Sequence, residues 1–147
     1  MRTANLLDVE LFGTRVEPGT PMPADLPQWA RDSLECPTWQ VRTADGDLLC
    51  LGGFLWQSPS RCSAWWHPLE LIEWAKPILL CKAIRRTIAL HQDEHTCHRI
   101  EAHVVSDWRA ANTFARVCGF VFEGCMRRWG AHQENYNLYC WERGKWG

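Results

Sequence analysis

The sequence lacks a charge bias, a membrane-length apolar run, a paired-cysteine motif and any internal repeat. Sixteen basic and 17 acidic residues leave the 147-residue chain at a formal net charge of −1, with no block of like charge. That balance excludes an electrostatic grip on nucleic acid or on an anionic membrane. No apolar stretch approaches the roughly 18 residues that span a bilayer. Met1 is followed by mixed polar residues rather than a charged segment and an apolar core, so the chain is read as soluble and not secreted. The eight cysteines (Cys36, Cys50, Cys62, Cys81, Cys97, Cys118, Cys125 and Cys140) form no C-x-x-C pair. Without a secretion signal they read as free thiols acting as small hydrophobes, not as a disulfide framework. Tryptophan is in excess: ten in 147 residues is more than one ordinary core accommodates, so some indoles are expected at a contact surface. Residues 1–147 are expected to form a single domain.

Residues 1–12, "MRTANLLDVELF", read as a short strand followed by a helix, with Asp8 available to cap it. The proline-rich "GTRVEPGTPMPADLP" reads as a loop leading to a short helix near "PQWARDSL". From Thr38 the pattern changes to period two: Trp39 and Val41 alternate with Gln40 and Arg42, "ADGD" supplies a turn, and "LLCLGGFLWQ" is apolar on both faces. Gly52 and Gly53 in that strand predict a bulge or a close backbone approach. "SPSR" turns the chain into a third strand, "CSAWWH". Pro77 suits a first helical turn, and Leu80, Cys81, Ile84 and Ile88 repeat at helical spacing with basic residues opposite. "HRIEAHVV" alternates again, with Ile100, Ala102 and Val104 on one face. Ser106 or Asp107 is expected to cap a helix striped by Trp108, Ala111, Ala115 and Cys118 and closed by Gly119. "FVFEGCMRRW" and "NYNLYCWER" read as two final strands joined around Gly130.

This order, and above all the ungapped "HVVSDWRAANTFARVCGFVFEG", resembles the GNAT superfamily, the Gcn5-related N-acetyltransferases. The opening "MRTANLLDVELF" is similar to that family's first strand and helix. The resemblance implies an α/β (α+β) acyl-CoA N-acyltransferase fold, a mixed sheet of about six or seven strands with about four helices. It also implies a gap between two splayed strands, lined by Ala64 to His67 on one side and Ile100 to Val104 on the other, into which acetyl-CoA inserts. The diphosphate would meet the start of the next helix, where backbone N–H groups favour anions.

Against the family's chemistry the sequence departs at three places. Its diphosphate loop needs glycines where the backbone meets phosphate, but here Leu71 stands in the Gln/Arg position and Trp74 and Lys76 in the glycine positions, with Glu70 and Glu73 adding negative charge. Lys76 partly offsets that charge. In the last helix, Trp108 falls on the position of a cofactor-holding Asn and Ala115 on that of the Tyr that protonates the departing thiolate; neither transfers a proton. "RCSAWWH" offers no carboxylate as general base, which leaves His67 and His103 as the substitutes if the chain is active. In that case Trp66, His67, Trp74 and Lys76 would contact acetyl-CoA.

"HQDEHTCH" places His91 and His95 on one helical face, followed by Cys97 and His98. This fits no complete four-ligand pattern, and histidines at a helix C-terminus are favoured by the dipole alone, so no metal site is assigned. Trp39, Trp56, Trp108 and Trp141 read as core or near-core. Trp74, Trp129 and Trp146 read as a partner surface. The adjacent Trp65 and Trp66 must face opposite sides of the sheet.

The resulting expectation is a GNAT-fold protein without acetyl transfer and without a cofactor, packing with protein partners in a larger assembly. In its length, its "GG" central strand and its missing diphosphate loop it is similar to the small internal virion proteins of short-tailed bacteriophages. That resemblance implies a place in the host cytoplasm or within a virion, with neither nucleic acid nor membrane as partner. The competing expectation is an acetyl-CoA-dependent N-acetyltransferase acting on an amine of a small molecule or protein.

Overall fold

A computed structural model describes residues 11–17, 19–69 and 77–142. In chain order the elements are β1 (Leu11–Arg15), α1 (Gln28–Asp32) with a 3-10 turn (Ser33–Glu35), β2 (Thr38–Thr43), β3 (Leu48–Ser58), β4 (Arg61–Pro68), α2 (Pro77–His95), β5 (Arg99–Val105), α3 (Arg109–Val117), β6 (Phe120–Met126) and β7 (Tyr136–Trp141). The seven strands follow the sheet order β1-β2-β3-β4-β5-β7-β6. β4 and β5 are parallel, and the pairs β1–β2, β2–β3, β5–β7 and β6–β7 are antiparallel. This is the mixed α+β architecture expected. No helix among the described residues is long and apolar enough to cross a membrane, and all eight cysteines are free thiols.

The chain divides into two compact units, Met1–Leu55 with Trp65–Ile88, and Trp56–Ala64 with Ala89–Gly147, so β3, β4 and α2 each contribute to both. In the first unit the period-two reading of β2 holds: Trp39, Val41 and Thr43 are buried while Gln40 and Arg42 are half-buried. The "ADGD" turn is closed by the Gly46 amide donating to the Thr43 carbonyl, with Gly46 at a φ of 93° that suits glycine. Leu49, Cys50 and Leu51 are buried on both faces of β3, and each leucine contributes roughly 1.5–3 kcal/mol relative to an exposed side chain. A core of Leu26, Ala30 and Leu51 is covered by Val16, Met22, Leu34, Leu48 and Trp65. The proline-rich loop before α1 is pinned by Arg31, whose guanidinium donates to the carbonyls of Leu26, Pro23 and Ala24.

One expectation fails here. The helix expected to run through Phe12 is absent from Leu11 onward, where β1 pairs with β2 from Leu11↔Thr43 to Arg15↔Trp39. The strand pairing takes up the backbone groups of this stretch, and at Gly13 a Cβ would lie 2.1 Å from Thr87 Oγ1, so the bare backbone lets α2 approach. Asp8 and the rest of the expected opening elements fall outside the described residues.

In the second unit β7 lies between β5 and β6, with registers Glu101↔Cys140 and Phe120↔Trp141. The helix α3 ends as expected: Gly119 takes a φ of 100° and its amide donates to the Arg116 carbonyl. Its start differs. Trp108 is the N-cap, without a side-chain cap bond, and Ser106 and Asp107 precede it. Trp108 is 58% exposed and Trp56 38%, so neither is core, unlike Trp141, whose indole donates to the Cys118 carbonyl at 3.0 Å. The buried stripe of α3 runs through Asn112 and Ala115 toward Cys118, which turns Trp108 outward.

Candidate functional site

β4 carries the residues from which an acyl-CoA site was expected. In the first unit, Trp65 lies over Gly53, where a Cβ would sit 2.5 Å from its Nε1. The close backbone approach that the paired glycines predicted is at Gly52, where a Cβ would lie 3.2 Å from the Trp65 carbonyl oxygen. The indole also meets Trp29 edge-on at 5.4 Å, and His67 meets the same Trp29 edge-on at 6.1 Å. His67 is thus a half-buried member of an aromatic group. Trp66 lies on the side of Cys50, whose thiol is pushed up to about 12 by burial in spite of a hydrogen bond with Trp66. Trp74, Lys76 and Trp146, with Leu71, Glu70 and Glu73, lie outside the described residues. The β4–β5 ladder runs from Arg61↔Arg99 through Cys62↔Ile100 to Ser63↔Glu101, whereas β4 continues to Pro68.

In the second unit β5 presents a polar face that the sequence reading passed over. Arg99, Glu101 and His103 are two apart and therefore share one side of the strand. Arg99 Nε donates to Glu101 Oε2 at 2.6 Å, and its terminal nitrogens donate to the Glu123 carboxylate. Arg61 stands 4.0 Å from the same Glu101 oxygen. His103 Nε2 is 3.4 Å from Glu101 Oε1, and its ring meets Trp129 at 5.6 Å. Burial alone would raise the Glu101 carboxyl, but hydrogen bonds from Arg99 and His103 and the charges of Arg99 and Arg61 hold it below its usual range. Glu123 is lowered chiefly by its bond to Arg99. The register shift between Phe122 and Gly124 falls at Glu123. Chemically, a carboxylate that orients an imidazole is the arrangement of a general base. Arg99-x-Glu101-x-His103 at strand period was the signal for it.

On α3 the two positions compared with cofactor-holding Asn and acid Tyr are an exposed Trp108 and a buried Ala115. The polar residue of this helix is Asn112, one turn after Trp108. Its Nδ2 donates to the carbonyls of Val105 and Trp108 at 3.0 and 2.8 Å. Its Oδ1 accepts from Asn137 Nδ2 at 2.8 Å and from the Tyr139 hydroxyl at 2.6 Å. Tyr139 is fully buried.

Within the "HQDEHTCH" run His91 lies beside both His95 and Cys97, while His98 points away. His91 and Cys97 are fully buried, His95 is half-buried and His98 is exposed. His91 meets Cys62 of β4, a contact across 29 residues that the local spacing could not reveal.

No protein-family model and no curated protein matches this sequence. Solved structures do. A GNAT family acetyltransferase from Elizabethkingia anophelis with acetyl-CoA bound is 11% identical with a TM-score of 0.71, covering 90% of this chain and 98% of its own. A mutant of the SpeG spermidine N-acetyltransferase from Vibrio cholerae is 16% identical with a TM-score of 0.68, covering 89% of this chain and 92% of its own. A chimera of that enzyme with hSSAT is 15% identical with a TM-score of 0.69, covering 93% and 98%. The fold is therefore that of the GNAT acetyltransferases.

Proposed function

We propose that this chain is a GNAT-fold protein without acetyltransferase activity, serving as a packing component of a larger protein assembly of the virion type. The observation that carries this reading is the state of the proton-transfer positions. Ala115 has no acid to offer. The chain has two tyrosines, Tyr136 and Tyr139, and the Tyr139 hydroxyl is committed to Asn112 in the interior. A thiolate leaving acetyl-CoA thus lacks the expected acid on α3. The substitutions of Trp74 and Lys76 for loop glycines, read from sequence, add to this.

Large exposed indoles supply the positive side of the proposal. Trp108 and Trp129 are 58% and 57% exposed, and tryptophan is enriched at contact surfaces. With a net charge of −1 the partners are proteins, matched by shape. Trp129→Ala and Trp108→Ala are expected to abolish incorporation of the tagged chain into a high-molecular-weight complex while leaving the melting temperature of the isolated protein unchanged. Normal incorporation of both variants contradicts this choice of surface.

A second reading has one observation in its favour: the Glu101–His103 pair. In an acetyl-CoA-dependent N-acetyltransferase, His103 would take the proton of a small-molecule or protein amine, with Glu101 holding the ring and stabilising its charged form. The acetyl group would pass to the nitrogen and coenzyme A would leave as the thiolate. Turnover of acetyl-CoA with a panel of amines, abolished in His103→Ala, would establish this reading over the first.

A further inference from the structure

Cys62 of β4, His91 near the end of α2 and Cys97 in the connection to β5 converge within the second unit. Cys62 Sγ lies 3.5 Å from His91 Nε2 and 3.2 Å from Cys97 Sγ. One ligand atom from each residue falls within 4.8 Å of the other two, and all three residues are at most 1% exposed. Their backbones are fixed by independent elements. Cys62 is paired with Ile100 in the parallel ladder, and His91 is helical. Cys97 follows Thr96, a non-glycine residue at a φ of 51° that ends the helix and reverses the chain beneath it.

We propose that Cys62, His91 and Cys97 form a binding site for a thiophilic divalent cation of the zinc class. Zinc bonds of ~2.3 Å to sulfur and ~2.0 Å to nitrogen in a tetrahedron set neighbouring ligand atoms about 3.4–3.8 Å apart. The Cys62–His91 spacing of 3.5 Å matches the sulfur–nitrogen value, and the Cys62–Cys97 spacing of 3.2 Å would open by roughly 0.6 Å to reach the sulfur–sulfur value. Two thiolates and a neutral imidazole around a dication also carry no net charge, so the loaded site tolerates this interior where a single thiolate would not. Without metal, burial and the neighbouring Cys97 push the Cys62 thiol up. Metal binding needs both sulfurs as thiolates, so affinity rises with pH. A fourth ligand would come from the His95 side: its ring centroid is 4.6 Å from that of His91, and Trp56 lies 5.6 Å from both. So enclosed a site is structural, clamping the end of α2 to β4.

Cobalt(II) titration of reduced, chelator-stripped protein tests the proposal. Expected is one equivalent of tetrahedral cobalt with a thiolate charge-transfer band, bleached by zinc, lost in Cys62→Ser and Cys97→Ser and kept in Cys125→Ser, whose thiol is exposed. No tetrahedral signal in the parent, or an undiminished signal in both cluster variants, overturns it. Because buried serines can unfold the chain, a second measurement uses the parent alone. Zinc is expected to suppress alkylation of Cys62 and Cys97 while leaving Cys50 and Cys118 unchanged, and identical labelling with and without zinc overturns the site.

Discussion

The Tyr139 hydroxyl donates to Asn112 Oδ1 at 2.6 Å, and the same oxygen accepts from Asn137 Nδ2. One buried amide thereby ties α3 to β7 and, through its donated bonds, to the carbonyls of Val105 and Trp108. Asn112→Ala removes the acceptor from two donors at once, and each unsatisfied buried group costs about 1–3 kcal/mol. The expected loss is roughly 3 kcal/mol in chemical denaturation. Tyr139→Phe, which leaves no unpaired donor, is expected to cost about 1 kcal/mol. The two losses should not add, because they share one bond; equal and additive effects would contradict a shared hub.

Gly53 is held by the indole it faces. Gly53→Ala places a methyl 2.5 Å from Trp65 Nε1 and 2.7 Å from Cε2, and overpacking of this kind costs typically 1–3 kcal/mol. In a Trp65→Leu background the same substitution should cost clearly less. An unchanged penalty in the double-mutant cycle would place the strain elsewhere.

Glu101 and Glu123 give stability an acid limb. Both carboxyls are held below the ordinary 4.5 by Arg99, so the folded state binds protons less readily than the unfolded chain. Their contribution is present above about pH 4.5 and is lost as pH falls through the folded values. Glu101→Gln should lower stability at neutral pH by roughly 1.5–3 kcal/mol, the range for a hydrogen bond to a charged group. Its deficit relative to the parent should shrink on acidification below pH 4.5. Denaturation midpoints across that window check this, and a constant deficit would exclude the carboxylate as its source.

Much of the framework was legible because strand and helix periods are local. Trp39, Val41 and Thr43 alternate visibly, Gly52 announces its close neighbour, and Gly119 marks the end of α3 at the predicted residue. What the sequence hid is what depends on packing at a distance. Glu101 falls on the face of β5 opposite Ile100, Ala102 and Val104, and it is nearly buried there because Arg99 and Arg61 neutralise it. Trp108 matched a helical stripe but stands at the N-cap, outside the first full turn, where it faces solvent. Cys62 belongs with His91 and Cys97 only once a parallel strand brings residues 62 and 100 side by side.

The central claim is that this fold is used without its cofactor, and thermal unfolding of the purified chain with acetyl-CoA tests it most directly. A ligand that binds only the folded state at 100 times its dissociation constant contributes about 2.7 kcal/mol, which raises the melting temperature of a domain this size by roughly 5–10 °C. The account predicts no change in melting temperature up to millimolar acetyl-CoA. A saturable rise, with coenzyme A competing, would contradict it.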